Sequence, residues 1–407
     1  MEGINKSRLF VASCFALLTT SLAFGLRAGI MNDLAIDLQI SDTELGWINF
    51  MGIFGFPIAT LIGGPLYNTI GPKKLGYIAF AAHIMGITFS ILSGSFFTLF
   101  LSTFFISFGN GIVEAAYNPM IADMYDNQKA KMLNRFHVWF PAGIAIGSLI
   151  ALLFTNLGLG WQAKLAVMYL PAFIYLYMFT GQKFPETGRS LETNTGDNFK
   201  AILTTPIFWL MMLIMALTAT TELGTQSWVE RILANAGAQP LVILALVTGL
   251  MAAGRFFAGP VIKKFNIAGV LLASAVISAI GIFLMSSATG GMVYVSAILF
   301  AIGVCYFWPN MISFVAVYLP ETGALGMSVV GGMGMLGLSI FQPIIGRWMD
   351  SNREAKALEG FSGDQLELMA GQATLQNIAM IPAILIFGFL ILYFWQKNKT
   401  GDVTAAH

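Results

Sequence analysis

Charge is what this sequence has least of. Only 10% of its 407 residues are Asp, Glu, Lys or Arg, against about 25% in ordinary soluble domains. A soluble protein needs polar surface, and a chain that is 57% hydrophobic has too little to cover itself. Cysteine is nearly absent. Cys14 and Cys305 lie in separate apolar runs, which reads as two free thiols rather than a disulfide. A net charge of +1 leaves no basic surface for nucleic acid. There is no phosphate-cradling loop, so no ATP drives the chain's work. No His/Cys cluster has metal-ligand spacing, and no nucleophile–base arrangement suggests an enzyme. No cofactor or metal is expected.

What is abundant is apolar. The 34 phenylalanines and 43 glycines fit a lipid-facing exterior with close helix contacts inside. A crossing of the bilayer needs about 20 apolar residues. Such runs predict helices near 10–32, 44–69, 75–93, 96–121, 135–156 and 162–180. A second set follows near 207–234, 239–261, 267–287, 292–318, 323–346 and 376–396. The first run, from Phe10 to Ile30, is too long for a signal-peptide core and reads as a retained first helix. The polar stretch Gly181 to Pro206 divides the chain into similar parts. The expected architecture is an all-α membrane protein of twelve transmembrane helices. Its parts are a six-helix half 1–181, a linker 182–206, a second half 207–400 and a short tail 401–407.

Lys and Arg set the orientation. With a cytoplasmic N-terminus, the cytoplasmic ends and loops hold 14 of the 21 basic residues, Lys6, Lys129, Lys131, Arg189 and Lys399 among them. The opposite side receives Asp33, Asp37, Asp42, Glu44 and the segment Glu354 to Glu367. Both termini are therefore expected in the cytoplasm.

An internal repeat follows. The second helix ends in "GGPLYNTIGPKKLG" (Gly63 to Gly76) and the eighth in "AGPVIKKFN" (Ala258 to Asn266). Each places Gly-Pro (Gly64-Pro65, Gly259-Pro260) at the end of the second helix of its half, with a Lys pair in a short loop. These residues read as gating scaffold rather than substrate ligands. With Asn68, Gly71, Lys73 and Lys74, the first segment resembles the signature loop of the major facilitator superfamily. Asn68 departs from it, standing where the family usually carries Asp. Within that superfamily, "GNGIVEAAYNPMIADMY" (Gly109 to Tyr125) and "LNRFHVWFPAGIAIG" (Leu133 to Gly147) are similar to the fourth and fifth helices of the fucose–proton symporter group. The resemblance implies a twelve-helix proton-coupled sugar permease of the bacterial inner membrane, working as a monomer on a small-molecule substrate.

Charges inside spans carry a penalty of roughly 2.5–3.5 kcal/mol, so each needs a partner, a cavity or a job. Four stand out: Arg27, Glu114, Glu222 and Arg255. In the resembled group the acid matching Glu114 is the protonation site, and a carboxylate held away from water is suited to that work. Its plainer reading is a permanent ion pair tying helices together. Arg27 stands where the resembled permeases carry acidic groups. It either pairs with Glu114, binds an anionic substrate through its fork, or snorkels to the outer interface. Thr218, Glu222 and Thr225 share a face at i, i+4 and i+7, with Gln226 and Trp228 nearby. Polar groups beside an aromatic platform suit a sugar; helix–helix glue is the alternative.

Arg255, one turn before Gly259-Pro260, reads as a structural gate residue. His137 begins the fifth helix and is either a proton relay or an interfacial histidine. Asn118, Asn134 and Asn310 are candidate hydroxyl binders. Pro309 in "CYFWPNMISF" frees the carbonyl of Cys305, which kinks the helix or offers an acceptor to the cavity. Trp308 beside it stacks on substrate or faces lipid. The function expected is proton symport of a monosaccharide or related small polar solute by rocking of two halves. The alternatives are an organic-anion carrier using Arg27 and a transporter-like solute sensor.

Overall fold

Backbone polar groups find no water in hydrocarbon, so long apolar runs close their hydrogen bonds within helices. The computed structural model describes residues 3–39, 42–185, 195–233 and 235–405, and among these every regular element is helical. In the first half, α1 (Lys6–Ala28) and the short α2 (Met31–Leu38) precede α3 (Asp42–Ile91) and α4 (Phe96–Met124). Then come α5 (Lys129–Phe136), α6 (Trp139–Asn156), α7 (Trp161–Ala166) and α8 (Tyr169–Phe179). A further helix, α9 (Thr195–Thr204), lies in the stretch expected as a linker. Arg189 and the rest of residues 186–194 lie outside the described residues.

The second half comprises α10 (Pro206–Ala219), α11 (Thr225–Leu233), α12 (Pro240–Phe256), α13 (Ala258–Met285) and α14 (Gly291–Val304). It ends with α15 (Phe307–Tyr318), α16 (Gly323–Leu358) and α17 (Gly363–Ala405). Among the described residues, ten stretches are long and apolar enough to cross a membrane. One of them, Trp47–Ile91, reverses at Gly71 and so crosses twice, and the shorter Val242–Phe256 adds a crossing; twelve result. α16 and α17 extend beyond their expected spans into a hairpin, where Arg353 binds Glu367 through two bonds of 2.7 and 2.9 Å. Residues 401–405, expected as a tail, continue α17.

The repeat is visible in the backbone. Gly71 (φ 78°, ψ 167°) and Asn266 (φ 54°, ψ 175°) reverse the chain with nearly the same angles. Each lies seven residues after the glycine of its Gly-Pro, Gly64 or Gly259. Glycine meets a positive φ without strain. Asn266 meets it because its Oδ1 accepts from the Gly269 N–H at 2.8 Å, capping the returning helix. The lysine pairs are not equivalent in the same way: Lys73 and Lys74 follow their reversal, while Lys263 and Lys264 precede theirs.

Small residues bring the helices close. A Cβ on Gly25 would lie 2.3 Å from the Ile144 carbonyl oxygen, so α1 crosses α6 backbone to backbone. Gly25→Val forces that crossing apart and is expected to destabilise the protein by about 1–3 kcal/mol. Thermal unfolding in detergent checks this, and an unchanged midpoint would refute the close-crossing account. Between the halves, α16 packs on α3 and α12 on α6. Gly332 of α16 faces Thr60 of α3, where a Cβ would come within 2.5 Å of the Thr60 hydroxyl.

Candidate functional site between the two halves

The face carrying Gly71 and Asn266 is closed by contacts across the halves. Gly64 packs on Ser328, and Lys131 runs along Gly259. Asn68 donates to Asn198 Oδ1 at 3.1 Å, and Asn198 in turn donates to the Glu321 carbonyl at 2.9 Å. α9 is therefore a bridge. Asn68, uncharged where the resembled loop carries Asp, works here as an amide partner. Lys73, Lys74 and Pro260 are exposed, and Pro65 is half-buried.

Deeper in, three interrupted spans (the fifth, seventh and tenth) and the continuous α4 and α12 supply a polar cluster. α4 carries Glu114 and Asn118 one turn apart. Asn118 Nδ2 donates to Glu114 Oε2, and its oxygen faces His137 Nε2 at 3.0 Å. That oxygen accepts only, so His137 carries a hydrogen on Nε2. The same ring nitrogen lies 3.7 Å from the Glu114 carboxylate. His137 is buried rather than interfacial, and its Nδ1 has no partner.

His137 is also where the fifth span breaks, between α5 and α6. Pro141 sits four residues on and has no N–H to bond the His137 carbonyl. The tenth span repeats the device: it breaks between α14 and α15, four residues before Pro309. The carbonyl that Pro309 frees, on Cys305, accepts from Arg255 Nε at 2.6 Å. Arg255 is fully buried, and its Nη1 donates to the His137 carbonyl at 3.1 Å. Its Nη2 pairs with Glu222 Oε1 at 2.7 Å. It therefore stands apart from the Gly-Pro gating residues, inside the core between the halves.

Glu222 lies on a five-residue π-helical turn, Thr220–Gly224, that interrupts the seventh span. A wide turn of this kind often marks a functional site. Its wider turn changes the angular spacing from that of a regular helix, and Thr218, Glu222 and Thr225 are all buried. Trp308 is buried too and does not face lipid. It lies edge-on to Phe56 of the other half at 6.2 Å, beside Glu114. Gly334 forms its floor; a Cβ there would fall 2.9 Å from the indole ring. Asn134 donates to Asn310 Oδ1 across the halves at 2.7 Å. Three buried polar atoms of this core, Thr225 Oγ1, Asn134 Oδ1 and Asn310 Nδ2, have no hydrogen-bond partner among the described residues. The Trp308 side chain is turned to the Glu114 carboxylate, and the Glu222 carboxylate to the Trp308 backbone.

Other candidates fall outside the cluster. Arg27 does not pair with Glu114. Its Nη2 donates to the Gly52 carbonyl at 3.1 Å, and the guanidinium sits 5.8 Å over Phe24. The last turn of α1 aims it at Gly52, which has no side chain to displace it, while Asn118 and His137 occupy the Glu114 carboxylate. Gln226 turns to the Met251 sulfur, and Trp228 donates to Gln342 Oε1 at 2.7 Å. Lys164 escaped the sequence reading although it falls inside the expected sixth span. It is buried and paired with Asp33 at 2.5 Å. His83 is held between Asn110 and Tyr175.

Known proteins share this fold. The chain superposes on the E. coli fucose:proton symporter FucP with a TM-score of 0.66 at 15% identity, covering 92% of this chain and 98% of that one. The proton:xylose symporter XylE gives 0.75 at 13% identity over 96% and 95%. The human organic anion transporter MFSD10 gives 0.69 at 13% over 95% and 99%. In sequence, the Bacillus subtilis (strain 168) protein NiaP, described as a niacin/nicotinamide transporter, is 22% identical over 180 residues. That match spans 44% of this chain and only 45% of NiaP. The profile of the Major Facilitator Superfamily matches residues 9–342. With twelve helices in two similar halves, the chain belongs to the major facilitator superfamily of membrane transporters.

Proposed function

We propose that this chain is a proton symporter for a small neutral, hydroxyl-rich solute such as a monosaccharide, working by alternating access. One observation carries the reading. The buried atoms without partners among the described residues include a donor (Asn310 Nδ2), an acceptor (Asn134 Oδ1) and a hydroxyl (Thr225 Oγ1), with the buried Trp308 indole in the same core. A sugar hydroxyl both donates and accepts, and its C–H face stacks on aromatic rings. An anion would meet two carboxylates there, with Arg255 already committed to Glu222 and two carbonyls. Glu114, hydrogen-bonded by Asn118 and next to His137, is the proton carrier in this reading. The lysine-bearing loops support cytoplasmic termini, and the carrier works as a monomer in a bacterial inner membrane. The fucose and xylose symporters with the same fold agree with a sugar.

Arg27 supports a second reading, an organic-anion carrier. It has no carboxylate partner among the described residues, and the local similarity to a niacin/nicotinamide transporter points the same way. A thermal-shift screen of purified protein against neutral sugars, sugar acids and carboxylates separates the two. Stabilisation by a neutral sugar is expected. If only acidic ligands raise the midpoint, and Arg27→Gln removes that response, the sugar reading fails. Counterflow in liposomes excludes a solute sensor that binds without transport.

A further inference from the structure

α5 belongs to the first half by chain order, yet the second half holds it. Asn134 is bonded to Asn310, Lys131 packs along Gly259, and the Arg135 guanidinium lies 5.6 Å over Phe256. At its C-terminal end, the His137 carbonyl accepts from Arg255. One guanidinium thus takes up two carbonyls that prolines have released, one in each half, at His137 and Cys305. Its remaining fork pairs with Glu222. The titratable groups around Arg255 are Glu222, Cys305, Tyr306, His137 and Glu114.

We infer that Arg255 is a positioning residue that couples the Glu114–Asn118–His137 cluster to the movement of the two halves, through the His137 carbonyl. The inference rests on the symport reading above. His137 bonds through its ring to Asn118 and through its backbone to Arg255. The halves cannot part at this level without breaking the Arg255 bond, and breaking it releases the backbone that aims the ring at Asn118 and Glu114. A lysine would keep the charge opposite Glu222 but not the rigid planar set of donors that spans the two carbonyls and the carboxylate.

Pro141→Ala tests this without touching the cluster or its charges. The new N–H competes with Arg255 for the His137 carbonyl. Couplings between sites run to about 5–150-fold, so gradient-driven accumulation in proteoliposomes is expected to fall about tenfold while counterflow is retained. Arg255→Lys should act in the same direction. Wild-type accumulation in Pro141→Ala overturns the inference. So does a loss of counterflow in proportion to accumulation, which marks a merely structural role. If Arg255→Lys does not fold, Pro141→Ala decides alone. Should the wild-type protein accumulate nothing under a proton gradient, the symport reading itself fails, before any variant is compared.

Discussion

Glu114→Gln is expected to abolish uphill accumulation of solute while leaving counterflow in place. The substitution keeps the shape of the side chain and an oxygen to accept from Asn118. It replaces the carboxylate that the symport reading makes the proton carrier with a neutral amide that cannot take up a proton there. A proton crossing 100 mV supplies about 2.3 kcal/mol, and about 1.4 kcal/mol corresponds to a tenfold concentration ratio. A coupled carrier at that potential therefore concentrates its solute about fiftyfold. A carrier without a proton site only equilibrates it, so the ratio falls to about one. Counterflow needs binding and rocking but no net proton movement, so it survives. Paired assays in proteoliposomes decide the matter. If the variant still concentrates solute under an imposed gradient, Glu114 is not the proton carrier.

The helices were legible because bilayer thickness and hydropathy dictate them directly, and Gly64-Pro65 and Gly259-Pro260 marked the repeat. Pro309 was legible too: a missing N–H frees the Cys305 carbonyl wherever the chain lies. Which donor takes that carbonyl was not, because Arg255 is 50 residues away in sequence. The same holds for Pro141 and His137, where the break was present in the sequence and unread. Arg27 was open to three readings, pairing with Glu114, binding an anion or snorkelling outward, and the fold removes only the first. Its charge invited a partner of opposite sign, and the fold gave it a glycine carbonyl and a phenylalanine ring. The π-helical turn at Glu222 was not legible, because nothing in the residue pattern marks a change from i→i+4 to i→i+5 bonding. Lys164 was hidden because its partner Asp33 was expected in a loop on the outer side.

Glu222→Leu should be the most damaging of the conservative-volume changes to stability. Arg255 and Glu222 are each almost fully buried and bonded at 2.7 Å. The pair as a whole contributes little net stability, because taking two charges out of water offsets much of their attraction. Removing one partner is different. It leaves a guanidinium in the core with two carbonyls but no counter-charge, at about 3–5 kcal/mol. Glu222→Leu with Arg255→Met removes both charges, and its unfolding midpoint is expected to lie closer to wild type than that of the single variant. Unfolding in detergent, followed by tryptophan fluorescence and by helical circular dichroism, gives both comparisons. A single variant as stable as wild type would mean that Arg255 finds its counter-charge elsewhere. Glu114 is the nearest carboxylate in the same cluster, so the Glu222→Leu, Glu114→Gln double variant then separates the two acids. A loss no larger than that of Glu114→Gln alone means that neither acid is the counter-charge Arg255 requires, whereas a collapse only in the double variant assigns Arg255 to both.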